Sequence, residues 1–221
     1  MIHFNRKIIP NHINSNYIAI SGGVDSISAS HFLVNKFPQY NWKAVHVNNN
    51  FIEQDKIVSD KVKEYCDNVL KIKCEVIEES EKINTENGSE AGCRDSRING
   101  FNSLPWFSKV ILCHHLDDAV ESYLMNCLKG SGEYLPLPYN SLYNGRDILL
   151  CRPFIKTKKV GFEEYSEKNN LSQWVTLDPL NAKSMRGWMR SVLIPTIGTK
   201  YSGLDKVVWK KYLEKGYMKN G

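Results

Sequence analysis

The chain reads as an α/β protein built on a parallel sheet with helices on both faces. Three observations predict this. Short apolar runs of strand length alternate with segments of helical periodicity. The polar residues of chemical interest gather where those runs end. The composition, 42% hydrophobic and 24% charged over 221 residues, suits one globular unit with a sizeable core.

The first strand is the run Tyr17-Ile18-Ala19-Ile20. It ends in Ser21-Gly22-Gly23-Val24-Asp25-Ser26, and a helix follows over 26–37 with Ile27, Ala29, Phe32 and Leu33 at helical spacing. Two glycines let the backbone turn tightly and approach a ligand. The N–H groups of the new helix start then face an anion. With the Ser21 and Ser26 hydroxyls as further donors, the loop suits phosphate or pyrophosphate. No Gly-Lys-Ser/Thr follows it, so it is not a Walker loop, and no Gly-x-Gly-x-x-Gly fingerprint occurs.

The pattern continues with strands at 42–47, 73–78 and 109–114 and helices at about 52–70, 89–103 and 117–129. Residues 130–147 are rich in Gly, Pro, Asn and Ser and read as a long loop. A short strand at 148–154 and a helix near 158–169 come next. In such sheets ligands bind beyond the carboxyl ends of the strands, and the Ser-Gly-Gly loop, His46 and His114 all fall there.

His114-His115 closes the fourth strand, and Asp118 and Glu121 share one face of the helix that opens after it. Acids near a helix start favour the dipole without any further role. That accounts for one or two carboxylates but not for two histidines beside a phosphate loop. The paired carboxylates are candidates to hold Mg²⁺ or an ammonium group. Arg94 and Arg97 fall on one helical face, where ion pairs with Glu90 alone explain them. Arg186 and Arg190, at i and i+4, suit a phosphate clamp.

The net charge is +5, unevenly spread. Residues 183–221 carry nine Lys/Arg against Asp205 and Glu214, a net +7 that leaves −2 elsewhere. Trp188, Tyr201, Trp209, Tyr212 and Tyr217 are interleaved with Lys206, Lys210 and Lys211. That mixture suits phosphate contacts with base stacking. A solvated basic helix with aromatics packed on the body is the plainer reading. The six cysteines form no C-x-x-C pair and read as reduced thiols rather than a zinc site. No apolar run approaches the length of a membrane span, and residues 1–16 lack a signal peptide's apolar stretch, so a cytoplasmic protein is expected.

Taken together, the strings resemble a known family. The loop at 21–26 is similar to the PP-loop of the N-type ATP pyrophosphatases. Its neighbours are His46-Val47-Asn48-Asn49-Asn50-Phe51, the Glu90–Ile98 string, His114–Ser122, Gly130-Ser131-Gly132, Arg152-Pro153-Phe154 and Asp178–Pro195. In order and spacing they resemble the catalytic domain of the tRNA(Ile)-lysidine synthetases over roughly residues 15–195. The departures are Asn49 for a second His, Cys93 for a small residue, Ile98 for Tyr, Ser122 for Thr and Gly187 for Asn.

The resemblance implies a Rossmann-like, adenine nucleotide α-hydrolase-like fold. It implies a catalytic domain over 1–195 with a basic tail at 196–221 packed on it. It also implies an ATP-dependent ligase that adenylates the wobble cytidine of a tRNA and joins free lysine to it, with Mg²⁺ as cofactor. Ser21, Gly22, Gly23, Asp25, Ser26 and His46 would bind ATP, with Asp25 the metal partner. Arg94, Asp118 and Glu121 would form the lysine site, and His114 would orient the reacting phosphate. Arg186 and Arg190 would face RNA or the adenylate, and Lys206, Lys210 and Lys211 would face RNA. Many members carry further C-terminal domains that help select the tRNA. A PP-loop tRNA thiolase, a small-molecule adenylating amide synthetase and a non-enzymatic RNA-binding module are the alternatives.

Overall fold

The structure, a computed structural model, describes residues 1–9, 15–48, 53–78, 99–130, 140–143, 147–176 and 184–214. Six strands form one sheet in the order β3-β2-β1-β4-β6-β5. They are β1 (Asn16–Ala19), β2 (Lys43–Asn48), β3 (Cys74–Glu78), β4 (Lys109–Ile111), β5 (Asn140–Tyr143) and β6 (Ile148–Cys151). Five run parallel: Ile18 registers with Ala44 and Ile111, His46 with Val76, and Ile111 with Cys151. The chain steps outward from β1 to β3 and then returns to β4 on the other side of β1. The order therefore reverses between β1 and β4, which opens a crevice above their carboxyl ends.

The expected loop at 130–147 needs correcting. Asn140–Tyr143 form β5, the antiparallel edge strand, with Ser141 opposite Leu150. The string Asn-Ser-Leu-Tyr has no apolar alternation, and it is the ladder to β6 that defines the strand. β4 and β6 are also shorter than the apolar runs that announced them. They stop at the third and fourth residue respectively.

Alternation along the strands builds two cores. Ile18, Ala44, Ile111 and Cys151 face one, and Tyr17, Val45, Val110 and Leu150 the other. The first core takes buried residues from α1 (Val24–Lys36) and from α2 (Glu53–Tyr65), which runs on as a π turn over Cys66–Leu70. It also takes residues from α3 (Leu116–Leu128) and α4 (Lys159–Lys168). α1 is gripped from both sides. The Ser28 hydroxyl donates to the Phe162 carbonyl, and the Tyr65 hydroxyl donates to the Ile27 carbonyl. Small residues at 28, 29 and 30 allow that close approach. Among the described residues the second core is closed by Phe101 and Leu104. The helix expected near 89–103 lies mostly outside the described residues.

The basic end of the chain folds back onto the first core. After the short α5 (Met185–Trp188), a π-helical turn (Met189–Leu193) and α6 (Ile194–Gly198), α7 (Leu204–Glu214) buries Val208 and Tyr212 completely. Trp209 stacks on Tyr212 at 16°, and Lys156 and Lys211 cover the rings of Trp209 and Tyr123. Trp209 and Tyr212 are packing residues, whereas Trp188 and Tyr201 are exposed and Tyr217 lies outside the described residues. Lys158 pairs with Asp205 across the α4–α7 junction. No described helix is long and apolar enough to cross a membrane. Because Tyr212 is a core residue, Tyr212→Ala is expected to cost about 3–5 kcal/mol of stability, the range for deleting a buried aromatic. Urea unfolding measures it, and a loss under 1 kcal/mol would place α7 outside the cooperative unit.

Candidate active site

The loop after β1 is built by its own serines. The Ser26 hydroxyl donates to the Gly23 carbonyl at 2.9 Å and accepts the Ser21 N–H at 3.1 Å. Ser21 Oγ lies 3.2 Å from Ser26 Oγ. Gly22 has φ +89°, and a Cβ there would stand 2.5 Å from Thr176 Oγ1. Its carbonyl accepts the Thr176 N–H at 2.9 Å. A non-glycine residue would meet both strain and collision. Gly23 then caps α1 without a side-chain hydrogen bond, so no side chain covers the first-turn N–H groups. Such a terminus is ready for an anion.

His46 is buried and fixes the end of β1. Its Nδ1 lies 2.7 Å from the Ile20 carbonyl and its Nε2 3.0 Å from Ser59 Oγ. A carbonyl only accepts, so Nδ1 carries the proton. The side chain thus holds β1 to β2 and α2 beneath the loop.

Across the crevice α3 starts at His115, whose ring is nearly inaccessible. The His115 N–H donates to Asp118 Oδ2 at 2.9 Å, one arm of a capping box. The ring lies 3.5 Å from a carboxylate oxygen of each of Asp25, Asp117 and Asp118. Burial alone would push the imidazole pKa down. Asp118, Asp117 and Asp25 together outweigh it and push it up to about 10. An imidazolium has two donors and cannot also accept the Asp118 N–H at 3.4 Å. That long contact is the weaker claim, and the ring is the cation among three acids. Asp117 is held below the usual carboxylate range. Burial opposes this, but His115 and the Lys159 N–H at 2.8 Å prevail.

Asp118 and Glu121 meet a second cation. Arg190 Nη2 lies 3.0 Å from Asp118 Oδ1, and Arg190 Nε donates to Glu121 Oε1. Glu121 is 1% exposed, and its second oxygen, Oε2, is buried with no hydrogen-bond partner among the described residues. Burial pushes its carboxyl up, and Asp118 adds to that. Arg190 and Arg186 pull the other way without cancelling it. Asp25 has a similar orphan, Oδ1, shielded from solvent and unpartnered. Cys113, between β4 and α3, is pushed up by burial and by the fields of Asp25 and Asp118, so its sulfur stays a thiol.

The structure thus joins Ser21, Gly22, Gly23, Asp25, Ser26 and His46 on one side of the crevice to Asp118 and Glu121 on the other. His114 lies half-buried one residue before the helix cap. Sequence reasoning assigned no role to His115, the ring that enters the acid cluster. Arg190 was assigned to RNA or the adenylate, but its guanidinium sits on the acid pair. The field of Arg186 reaches Glu121 as well. Lys206, Lys210 and Lys211 lie on α7, where Lys210 pairs with Glu214 at 3.7 Å. Arg94 lies outside the described residues, as does the Asp178–Asn181 string.

A phosphate-ready loop at the switch point of a parallel sheet, with acids facing it, is the arrangement of an ATP-binding fold. Residues 2–197 match the model of the ATP-binding PP-loop domain family. The chain belongs to the PP-loop domain family. Over 195 residues it is 25% identical to the tRNA(Ile)-lysidine synthase of Actinobacillus pleuropneumoniae serotype 3, covering 86% of this chain and 45% of that one. The tRNA(Ile)-lysidine synthase of Buchnera aphidicola is 26% identical over 203 residues, covering 89% and 45%. The PP-loop chain therefore spans about half the length of these relatives. A U34-tRNA thiolase structure from Methanococcus maripaludis superposes with a TM-score of 0.74 at 18% identity, covering 96% of this chain and 74% of that one. That likeness shows a shared fold.

The charged His115 couples this site to stability. Unfolded histidine titrates near ~6.5, and the folded ring near 10. Below ~6.5 both states hold the proton and the stabilisation is complete. It declines as pH rises and is gone above about 10. The stability gap between the native chain and His115→Gln is therefore expected to shrink between pH 7 and 10, by on the order of a few kcal/mol. Urea unfolding in magnesium-free buffer checks it, and a pH-independent gap would mean a neutral ring.

Proposed function

We propose that this chain is an ATP-dependent tRNA-modifying ligase. It adenylates the wobble cytidine of a tRNA and joins free lysine to it, releasing pyrophosphate and AMP. The observation that carries the reading is the buried pair Asp118–Glu121, with one carboxylate oxygen still unpartnered, facing a PP-loop across the β1–β4 crevice. Residues 1–195 form the catalytic unit in this reading, and 196–221 is its basic appendage. The similarity to the lysidine synthases supports the choice of tRNA and lysine.

The PP-loop amides and the Ser21 hydroxyl hold the triphosphate. The cytidine O2 attacks the α-phosphorus, and the bond to pyrophosphate breaks. The ε-amine of lysine then attacks carbon 2. The C2–O bond breaks, and the oxygen leaves with AMP. Adenylation turns a poor leaving oxygen into a good one, so positioning and charge stabilisation suffice. Asp118 and Glu121 bind the ammonium. Glu121, whose carboxyl is pushed up by burial, is placed to take the proton the ammonium loses before it attacks. Arg94 is proposed for the lysine carboxylate, and His114 for orienting the reacting phosphate.

The orphan Oδ1 of Asp25 fits a hard cation held by one carboxylate plus substrate phosphates, the usual manner for Mg²⁺. Bound there, the ion would neutralise charge on the phosphates. The chain has no C-x-x-C pair, which favours an amine over sulfur transfer as the second step. Arg186 and the lysines of α7 are proposed to contact RNA, and the protein to work in the cytoplasm.

The deciding experiment follows pyrophosphate release from ATP with tRNA transcripts and with lysine, ammonia or sulfide. Lysine-dependent turnover on tRNA is expected, and turnover on sulfide would replace the ligase by a thiolase. Asp25→Ala is expected to abolish pyrophosphate release in a folded protein. Glu121→Ala is expected to raise the apparent KM for lysine, at a cost of ~2–5 kcal/mol, while adenylated tRNA still accumulates. An unchanged lysine dependence would refute the amine site.

Replacing Lys206, Lys210 and Lys211 by Glu is expected to weaken RNA binding and flatten its dependence on salt, because fewer counterions are released. Filter binding between low and moderate salt measures the slope. A slope equal to the native one would mean these lysines are merely solvated.

A further inference from the structure

We infer that Arg190 is an internal cation that closes the Asp118–Glu121 pair, and that an amine enters only when an anion in the PP-loop draws the guanidinium away. The inference rests on the reading above, with phosphate at the loop and ammonium at the acids.

Its own observations begin with position. The guanidinium spans both carboxylates, through Nη2 to Asp118 and Nε to Glu121. That is the place an ammonium needs. Two cations on one acid pair repel, so the amine and Arg190 compete for it. The acids suit exchange rather than permanent closure. Glu121 is 1% exposed, yet its Oε2 stays unpartnered beside the guanidinium. A cation with differently placed donors can use an oxygen that Arg190 leaves idle.

The second observation is freedom to move. The Arg190 side chain is 32% exposed, and Arg190 lies in the π-helical turn Met189–Leu193. A π turn holds one residue more than the α ladder accommodates. Relaxing it to α geometry turns its side chains by about 100°, one residue's rotation. The acids, in contrast, sit on the regular helix α3, where Asp118 is also tied to the His115 N–H.

The third observation is where the guanidinium would go. The His115 ring lies 3.5 Å from both Asp25 and Asp118, and Arg190 sits on Asp118, so one imidazole separates the arginine from the acid of the loop. Phosphates held by the loop bring several negative charges into that range, and guanidinium matches phosphate geometry bidentately. Arg190 is thus a specificity-determining residue. It denies the acids to amines until a nucleotide is in place, and binding becomes ordered.

Isothermal titration with L-lysine, with and without AMP, tests this on the native chain, Arg190→Gln and Arg190→Lys. Without AMP, Arg190→Gln is expected to bind lysine at least about tenfold more tightly than the native chain, and Arg190→Lys to stay close to native because it keeps the charge. AMP is expected to tighten lysine binding to the native chain about tenfold and to leave Arg190→Gln unchanged. Equal lysine affinity of native chain and Arg190→Gln, indifferent to AMP, would overturn the inference and leave the amine site standing. If lysine binds none of them while ATP-dependent pyrophosphate release persists, the amine site falls, and this inference with it. Should Arg190→Gln not fold, the native titration decides alone: tightening by AMP upholds the inference, and its absence overturns it.

Discussion

Charge buried without a partner is the constraint on which this molecule is built. Asp25, Asp117, Asp118 and Glu121 crowd the crevice at the switch point, and no sheet could close around them bare. His115 and Arg190 make the arrangement tolerable from opposite sides. Among the described residues, two cations in contact face four carboxylates. The remainder is seen in the upward push on Glu121 and in the orphan oxygens of Glu121 and Asp25. A site left short of positive charge is a site for cations. In the proposed function that deficit would be met within one crevice by a metal ion on the loop side and an ammonium on the helix side.

The fold serves this site by distributing its parts. The loop hangs from β1, the acids from the helix after β4, and the second cation from the far end of the chain. Each is fixed locally by a small device. Ser26 folds the loop, His46 pins β1 beneath it, and the bond from the His115 N–H to Asp118 orients α3. Such anchoring holds reacting groups in place before any ligand arrives. The exception is Arg190, which sits on a π-helical turn.

Much of this was legible in the sequence. The central parallel strands announce themselves because residues covered on both faces must be apolar in succession, as Tyr17-Ile18 and Val110-Ile111 are. The Ser-Gly-Gly loop was readable because Gly22 has a backbone only glycine adopts cheaply. Other features left no such trace. β5 is an edge strand whose existence depends on its neighbour. Nothing in His114-His115 says which ring turns inward, since that follows from the cap of α3. Arg190 lies 69 positions from Glu121, and no periodicity spans that distance. Tyr212 and Trp209 were ambiguous because aromatics spaced to stack on bases are also spaced to pack.

That separation has a consequence for synthesis. Glu121 leaves the ribosome well before Arg190 does. At ordinary translation speeds, 69 residues take roughly 3–14 s. Through that interval β1 to β4 can pair, yet the acid helix has no partner for its most buried carboxylate. The nascent chain must keep that end of the crevice wet, with Glu121 hydrated or protonated, until Arg190 emerges. Thr176, whose N–H bonds the Gly22 carbonyl, arrives on the same late segment. The acid pair and its cation are thus assembled only after residue 190 has left the ribosome.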